Sequence, residues 1–110
     1  MKILLITLLL ISSYSVFAQK KTEVNPVMTD IIAQFPNVRD FTISQNGEEA
    51  YFSAQDYLGG VSVIMKVKKK KNKWSKAEIT SFSGKNMDLE PFLSADGLKL
   101  FFASSRPLND

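Results

Sequence analysis

One turn occurs twice in this chain, fifty residues apart, and it constrains the fold more than any other feature. Phe41-Thr42-Ile43 leads into Ser44-Gln45-Asn46-Gly47 and then Ala50-Tyr51-Phe52-Ser53-Ala54. Pro91-Phe92-Leu93 leads into Ser94-Ala95-Asp96-Gly97 and then Leu98 to Ala103. Asn-Gly or Asp-Gly between alternating apolar residues is the strongest short-range hairpin signal, because glycine accepts a positive φ without steric cost. A hairpin repeated at this period predicts stacked units, a solenoid or propeller, rather than an ordinary globule. An all-β fold follows.

The remaining segments take their place around these two hairpins. Met1 to Ala18 reads as a cleaved signal peptide: Lys2 is the positive end, Ile3 to Ile11 the apolar run, and Val16-Phe17-Ala18 the small-residue site before Gln19. The run is far shorter than the roughly 20 residues that span a bilayer. No cysteine follows it, so a lipid anchor is not expected. Residues 19–37 form a leader in which Asn25 caps and Pro26 opens a short amphipathic helix, with Val27, Met28, Ile31, Ile32 and Phe35 on its apolar face and Pro36-Asn37 ending it. The first repeat, 38–87, holds strands over Val38–Ser44, Glu49–Gln55, Val61–Lys68 and Trp74–Phe82, one four-stranded propeller blade. Val63, Met65 and Val67 alternate with Ser62, Ile64 and Lys66, the period of a half-buried strand. The second repeat, 88–110, carries only its first hairpin, so the chain is expected to be a piece of a longer protein or to associate with itself.

Composition removes most chemistry. The chain has no histidine and no cysteine, so it cannot assemble a Ser-His-Asp or Cys-His arrangement or a Cys/His zinc site. No nucleophile elbow and no phosphate-binding glycine loop appears, and Gly59-Gly60 reads as a turn. No catalytic residue, cofactor or metal is expected. With the signal removed, 13 basic and 11 acidic side chains remain, a balance that demands no polyanionic partner.

The run Glu90-Pro91-Phe92-Leu93-Ser94-Ala95-Asp96-Gly97, then Leu100-Phe101-Phe102-Ala103-Ser104-Ser105-Arg106-Pro107, resembles the signature of TolB-type, WD-like β-propeller repeats. Ala95 stands where that family usually has proline. The upstream copy is more degenerate: Arg39-Asp40-Phe41 replaces glutamate-proline and Asn46 replaces the aspartate. Lys73-Trp74-Ser75 resembles the outer-strand segment of exported bacterial members. The resemblance covers Val38 to Asp110 and marks Glu90, Pro91, Ser94, Asp96, Gly97, Phe101, Phe102 and Arg106 as its structural signature. It implies a periplasmic or secreted, non-enzymatic scaffold that binds a protein or a cell-envelope component. The alternative it implies is the propeller portion of an exported peptidase or glycosidase. A self-associating small β-protein is a third reading.

Three groups invite a functional reading beside a structural one. Asp88, Glu90 and Asp96 read as a hydrolytic pair or calcium site, or else as backbone-bonding and Asx-turn residues. The structural reading is preferred, since turn chemistry already accounts for Asp96. Lysines 66, 68, 69, 70, 71, 73 and 76 read as a patch for anionic polymers or lipids, or as a solvated hairpin tip that discourages edge-to-edge pairing, which is preferred. Trp74 with Tyr57 reads as a stacking platform for a ligand, or Trp74 as packing between blades. Nucleic acid is not an expected partner, and the membrane is met only through the signal segment.

Overall fold

A computed structural model describes residues 22–109, so the signal-peptide expectation lies outside the described residues. The described residues are all-β apart from one helical turn. In order it forms α1 (Thr29–Ile32), β1 (Asn37–Ile43), β2 (Glu49–Gln55), β3 (Ser62–Lys70), β4 (Lys73–Trp74), β5 (Glu78–Ile79), β6 (Asp88–Leu93) and β7 (Leu100–Ser104). Strands β1 to β4 are an antiparallel meander in sequence order, with β5 also pairing β3, while β6 and β7 make a separate hairpin.

The sequence repeat is a repeat of register. Val38↔Ala54, Arg39↔Ser53, Thr42↔Tyr51 and Ile43↔Ala50 in the first hairpin recur as Asp88↔Ser104, Leu89↔Ala103, Phe92↔Phe101 and Leu93↔Leu100 in the second. Each hairpin has a bulge at the same rung, carried by a non-glycine residue at positive φ, Asp40 (59°) and Glu90 (54°). The turns match bond for bond. Ser44 Oγ donates to Asn46 Oδ1 at 2.7 Å and accepts from the Glu49 N–H at 3.0 Å; Ser94 Oγ does the same with Asp96 Oδ1 at 2.6 Å and the Lys99 N–H at 2.9 Å. The Asx oxygen then takes the amide two residues on, Glu48 or Leu98, at 3.1 Å in both.

Gly97 sits at φ +73° with nothing near the place a Cβ would occupy, so only its backbone conformation demands glycine. Gly97→Val is therefore expected to destabilise the protein by about 1–3 kcal/mol through backbone strain alone. Urea unfolding of the variant checks this, and an unchanged midpoint would refute it.

Both faces of the first sheet are covered, which explains the unbroken burial along β2. On one face Ala50, Phe52, Ala54, Met65 and Val67 pack with Met28, Ile31, Ile32 and Phe35 from the α1 segment. Phe35 meets Phe52 edge to face at 5.8 Å. On the other face Tyr51 and Ile64 pack with Leu93, Leu100 and Phe102 of the second hairpin. Strand β3 is thus buried on both sides, not half-buried as its alternation predicts: Ile64 and Ser62 are as enclosed as Val67. Backbone groups of β6 find side chains on the first sheet. The Glu90 and Leu93 amides donate to Ser53 Oγ and Thr42 Oγ1, each at 3.1 Å, and Ser62 Oγ donates to the Asp88 carbonyl at 2.8 Å.

Two elements differ from expectation. The helix begins at Thr29, not Pro26, and ends at Ile32; its N-cap is Met28 in the left-handed region, without a side-chain cap, so Asn25 plays no capping part. Trp74–Phe82 is not one strand but the short pieces β4 and β5. Ser75 breaks it: its N–H donates to the Lys68 carbonyl, and its hydroxyl accepts from the Lys68 amide while donating to the Lys76 carbonyl. Six residues from Trp74 to Ile79 then face five from Lys69 to Met65, so the strand bulges at that point. Thr80 Oγ1, just beyond, is buried with no hydrogen-bond partner. Thr80→Val is expected to leave the melting temperature unchanged or raise it, since an unpaired buried hydroxyl contributes only its desolvation cost. A fall in melting temperature would show that the hydroxyl is bonded.

Candidate binding groove

Because the two turns are equivalent and their hairpins stack, they lie side by side at one end of the molecule. Between them runs an open groove of about 760 Å³. Ser44, Asn46 and Glu48 form one wall, Asp96 and Gly97 the other, and Lys68 to Lys70 supply the cationic end. The turn–turn wall is stiff, because both Asx oxygens are already committed to backbone amides. Asp96 is held below the ordinary carboxylate range by the Ser94 hydroxyl and the Leu98 amide. Glu49 lies at the junction. Burial raises its pKa, but the Tyr51 hydroxyl and Lys66 outweigh this and hold it low. Lys66 Nζ stands 3.3 Å and Lys68 Nζ 3.8 Å from its oxygens.

A second cleft of about 550 Å³ adjoins the same end of β3, lined by Lys66, Lys68, Lys70, Lys73, Trp74 and Glu78. Lysines 66, 68 and 70 alternate onto one face of the strand, and Lys70 is the direct cross-strand partner of Lys73. Like charges directly opposite repel, so an anionic group bound here relieves that repulsion. The hairpin tip, Lys71 and Asn72 at φ 48° and 61°, has the two left-handed residues of a tight primed turn. Chemically, the two clefts offer lysine ammonium groups, the carboxylates of Glu48, Glu49, Asp96 and Glu78, and one indole. They suit recognition of a polar or charged surface.

The other sequence-predicted residues fall as follows. Trp74 is partly buried against the α1-side core, with Lys69 Nζ 5.5 Å from its ring centroid. Tyr57 is 87% exposed in the loop at the opposite end of β3. About 20 Å of strand separates the two, so they form no common platform. The three carboxylates do not converge either, and no cluster of metal-ligating side chains exists among the described residues. Glu90 sits on the bulge, 61% exposed and 3.9 Å from Arg39 Nη2. It is its own amide, not its carboxylate, that is engaged at the start of the hairpin. Asp96 caps its turn as expected.

Asp88 is fully buried and accepts from Ser83 Oγ at 2.7 Å, from Ser104 Oγ, and from Arg106 Nη2 at 2.9 Å. Arg106 therefore pairs within its own hairpin; it also donates to the Phe82 carbonyl and lies over the Phe102 ring, which itself stacks on Phe82. Pro91 is buried against the first sheet, and Phe101 points away from it. Sequence reasoning missed the groove, although the fifty-residue repeat held the signal: equivalent turns on stacked hairpins must emerge at the same end. It also missed Ser83 and Ser104 as partners of Asp88, for which the sequence offers no distinctive sign.

Comparison with protein-family profiles, with characterised proteins and with solved structures finds no match to the chain.

Proposed function

We propose that this chain is part of an exported, non-enzymatic β-propeller scaffold of TolB-type repeats, which binds a protein or cell-envelope component in the groove between its turns. The observation that carries the reading is the duplicated register. Two hairpins with the same rungs, the same bulge and the same turn bonds stack face to face, as consecutive blades do. The meander β1 to β4 supplies one blade and β6–β7 begins the next. Stacking sets the turns in a row, and a row of rigid turns beside a lysine-rich strand makes a recognition surface without catalytic groups.

The test has two arms. Expressed with a carboxy-terminal tag in a double-membraned bacterium, the full chain is expected in the periplasm or medium with Gln19 as its first residue. Retention in the cytoplasm with Met1 intact would refute export. The mature chain, immobilised, is expected to retain either purified peptidoglycan or detergent-solubilised outer-membrane protein, and Lys69→Glu with Lys70→Glu is expected to abolish that retention. Retention of neither probe, or retention untouched by the double variant, would refute the groove as the binding site.

A further inference from the structure

Non-equivalent faces of the two hairpins meet, Thr42, Tyr51 and Ser53 of the first against Leu93, Leu100 and Phe102 of the second, so each has a face turned toward its neighbour and a face turned away. The receiving face of the first hairpin carries Thr42 and Tyr51, whose counterparts fifty residues on are Phe92 and Phe101. Phe92 and Phe101 are 64% and 57% exposed, side by side as direct cross-strand partners, with Leu89 and Ala103 on the next rung. Conversely, the docking face of the second hairpin carries Pro91, Leu93, Leu100 and Phe102, whose counterparts are Phe41, Ile43, Ala50 and Phe52. On the first hairpin that face is covered by the α1 segment, and incompletely. Pro91 and Leu93 are buried, yet Phe41 and Ile43 remain 49% and 43% exposed. An apolar cleft of about 360 Å³ stays open between α1 and β1, lined by Val27, Met28, Ile32, Val38 and Phe41.

The α1 segment is a poor fit in other respects. It is four residues long, has no buried residue within the helix and no side-chain cap, and short helices draw their stability from packing rather than from themselves. It stands where a preceding repeat stands for the second hairpin, and it underfills that place.

We infer that copies of this chain associate head to tail, the Phe92/Phe101 face of one copy seating on the Phe41/Ile43 face of the next as α1 moves aside. The occupant is a second copy because the described residues make this joint once internally and carry both of its halves again, each exposed. The intermolecular joint is drier than the internal one. Thr42 Oγ1 and Ser53 Oγ, which accept the Leu93 and Glu90 amides inside the chain, have Phe92 and Ala103 as their counterparts. Such a contact is heterologous, so it extends or closes into a ring instead of stopping at a two-fold dimer. The inference rests on the duplicated hairpin alone and needs neither export nor a groove ligand.

Sedimentation velocity of the mature full chain over a concentration series tests it. Phe92→Thr with Phe101→Lys disables the outgoing face, and Phe41→Lys with Ile43→Thr disables the incoming one. All four positions are exposed, and a thermal melt confirms that each variant is folded. The parent chain is expected to form oligomers that grow with concentration, each double variant to be monomeric alone, and the two variants mixed to form a heterodimer that grows no further. Phe35→Ala, which loosens α1, is expected to strengthen association of the parent chain several-fold. A parent chain that stays monomeric overturns the inference, as does an incoming-face variant that dimerises by itself, a mixture that stays monomeric, or association unaffected by Phe35→Ala.

Discussion

Replacing Phe52 with alanine is expected to destabilise the protein by about 3–5 kcal/mol, the usual cost of emptying a phenylalanine site in a packed core. Phe52 is fully buried at the centre of the α1-side cluster, bounded by Ala50, Ala54, Met28, Met65 and Val67 and met edge-on by Phe35. Its neighbours are held by strands on both sides and cannot collapse far into the space. A domain of this size has on the order of 5–15 kcal/mol in all, so the variant is expected to be partly unfolded at 37 °C. The repeat supplies an internal comparison. Phe102, its counterpart fifty residues on, is only partly buried beneath Arg106, and Phe102→Ala is expected to cost distinctly less. Urea unfolding of both variants measures the difference; equal losses would show that the first sheet is not the dominant core.

Arg106→Ala is expected to cost about 3 kcal/mol at neutral pH, the lower end of the range for stranding a buried charge. The lower end applies because Arg106 is itself 38% exposed while Asp88 is fully enclosed, and because Ser83 and Ser104 still bond the carboxylate. The pH dependence distinguishes this from a simple packing loss. Burial raises the Asp88 pKa, but the bonds from Ser104, Ser83 and Arg106 together hold it below the ordinary carboxylate value. A carboxylate depressed in the folded state adds stability that is complete above its unfolded pKa and is lost as pH falls through the folded one. The parent protein should therefore keep its melting temperature down to the ordinary aspartate range and lose it on further acidification. In Arg106→Ala burial is less opposed, so the folded-state pKa rises toward the unfolded one; the acid loss still begins at the unfolded pKa but is smaller and is complete at a higher pH. An acid loss as deep as the parent's would show that the arginine does not govern Asp88.

Both hairpins, their turns and the all-β character were legible in the residues, because each of those features is local. Asn46-Gly47 and Asp96-Gly97 specify their turns within four residues, and the offset of fifty carries the register from one hairpin to the other. What escaped was what depends on distant groups. Asn25 is a good cap by type, yet the helix forms only where Met28 to Phe35 meet the sheet, so packing overrode the local preference. Val61 to Lys68 reads as half-buried because alternation reports one apolar face, but Ser62 and Ile64 are enclosed by a hairpin that begins twenty residues later. The break at Ser75 arises from a hydroxyl replacing ladder bonds, which no pattern of apolar residues records. Trp74 and Tyr57 were read together from type alone, and the length of β3 keeps them apart. The groove is legible only once the stacking is known.

The amides of Glu90 and Leu93 have acceptors 37 and 51 residues away on side chains of the first sheet. No local fluctuation of the second hairpin by itself restores or replaces those acceptors; the amides meet solvent deuterium whenever the two units part. Their isotope exchange therefore runs as a clock of inter-unit separation, readable at two backbone positions, while the rungs within each hairpin time its own opening. If the two clocks keep the same pace, the described chain melts as one cooperative body, and if the first runs faster, the second hairpin is a hinged flap.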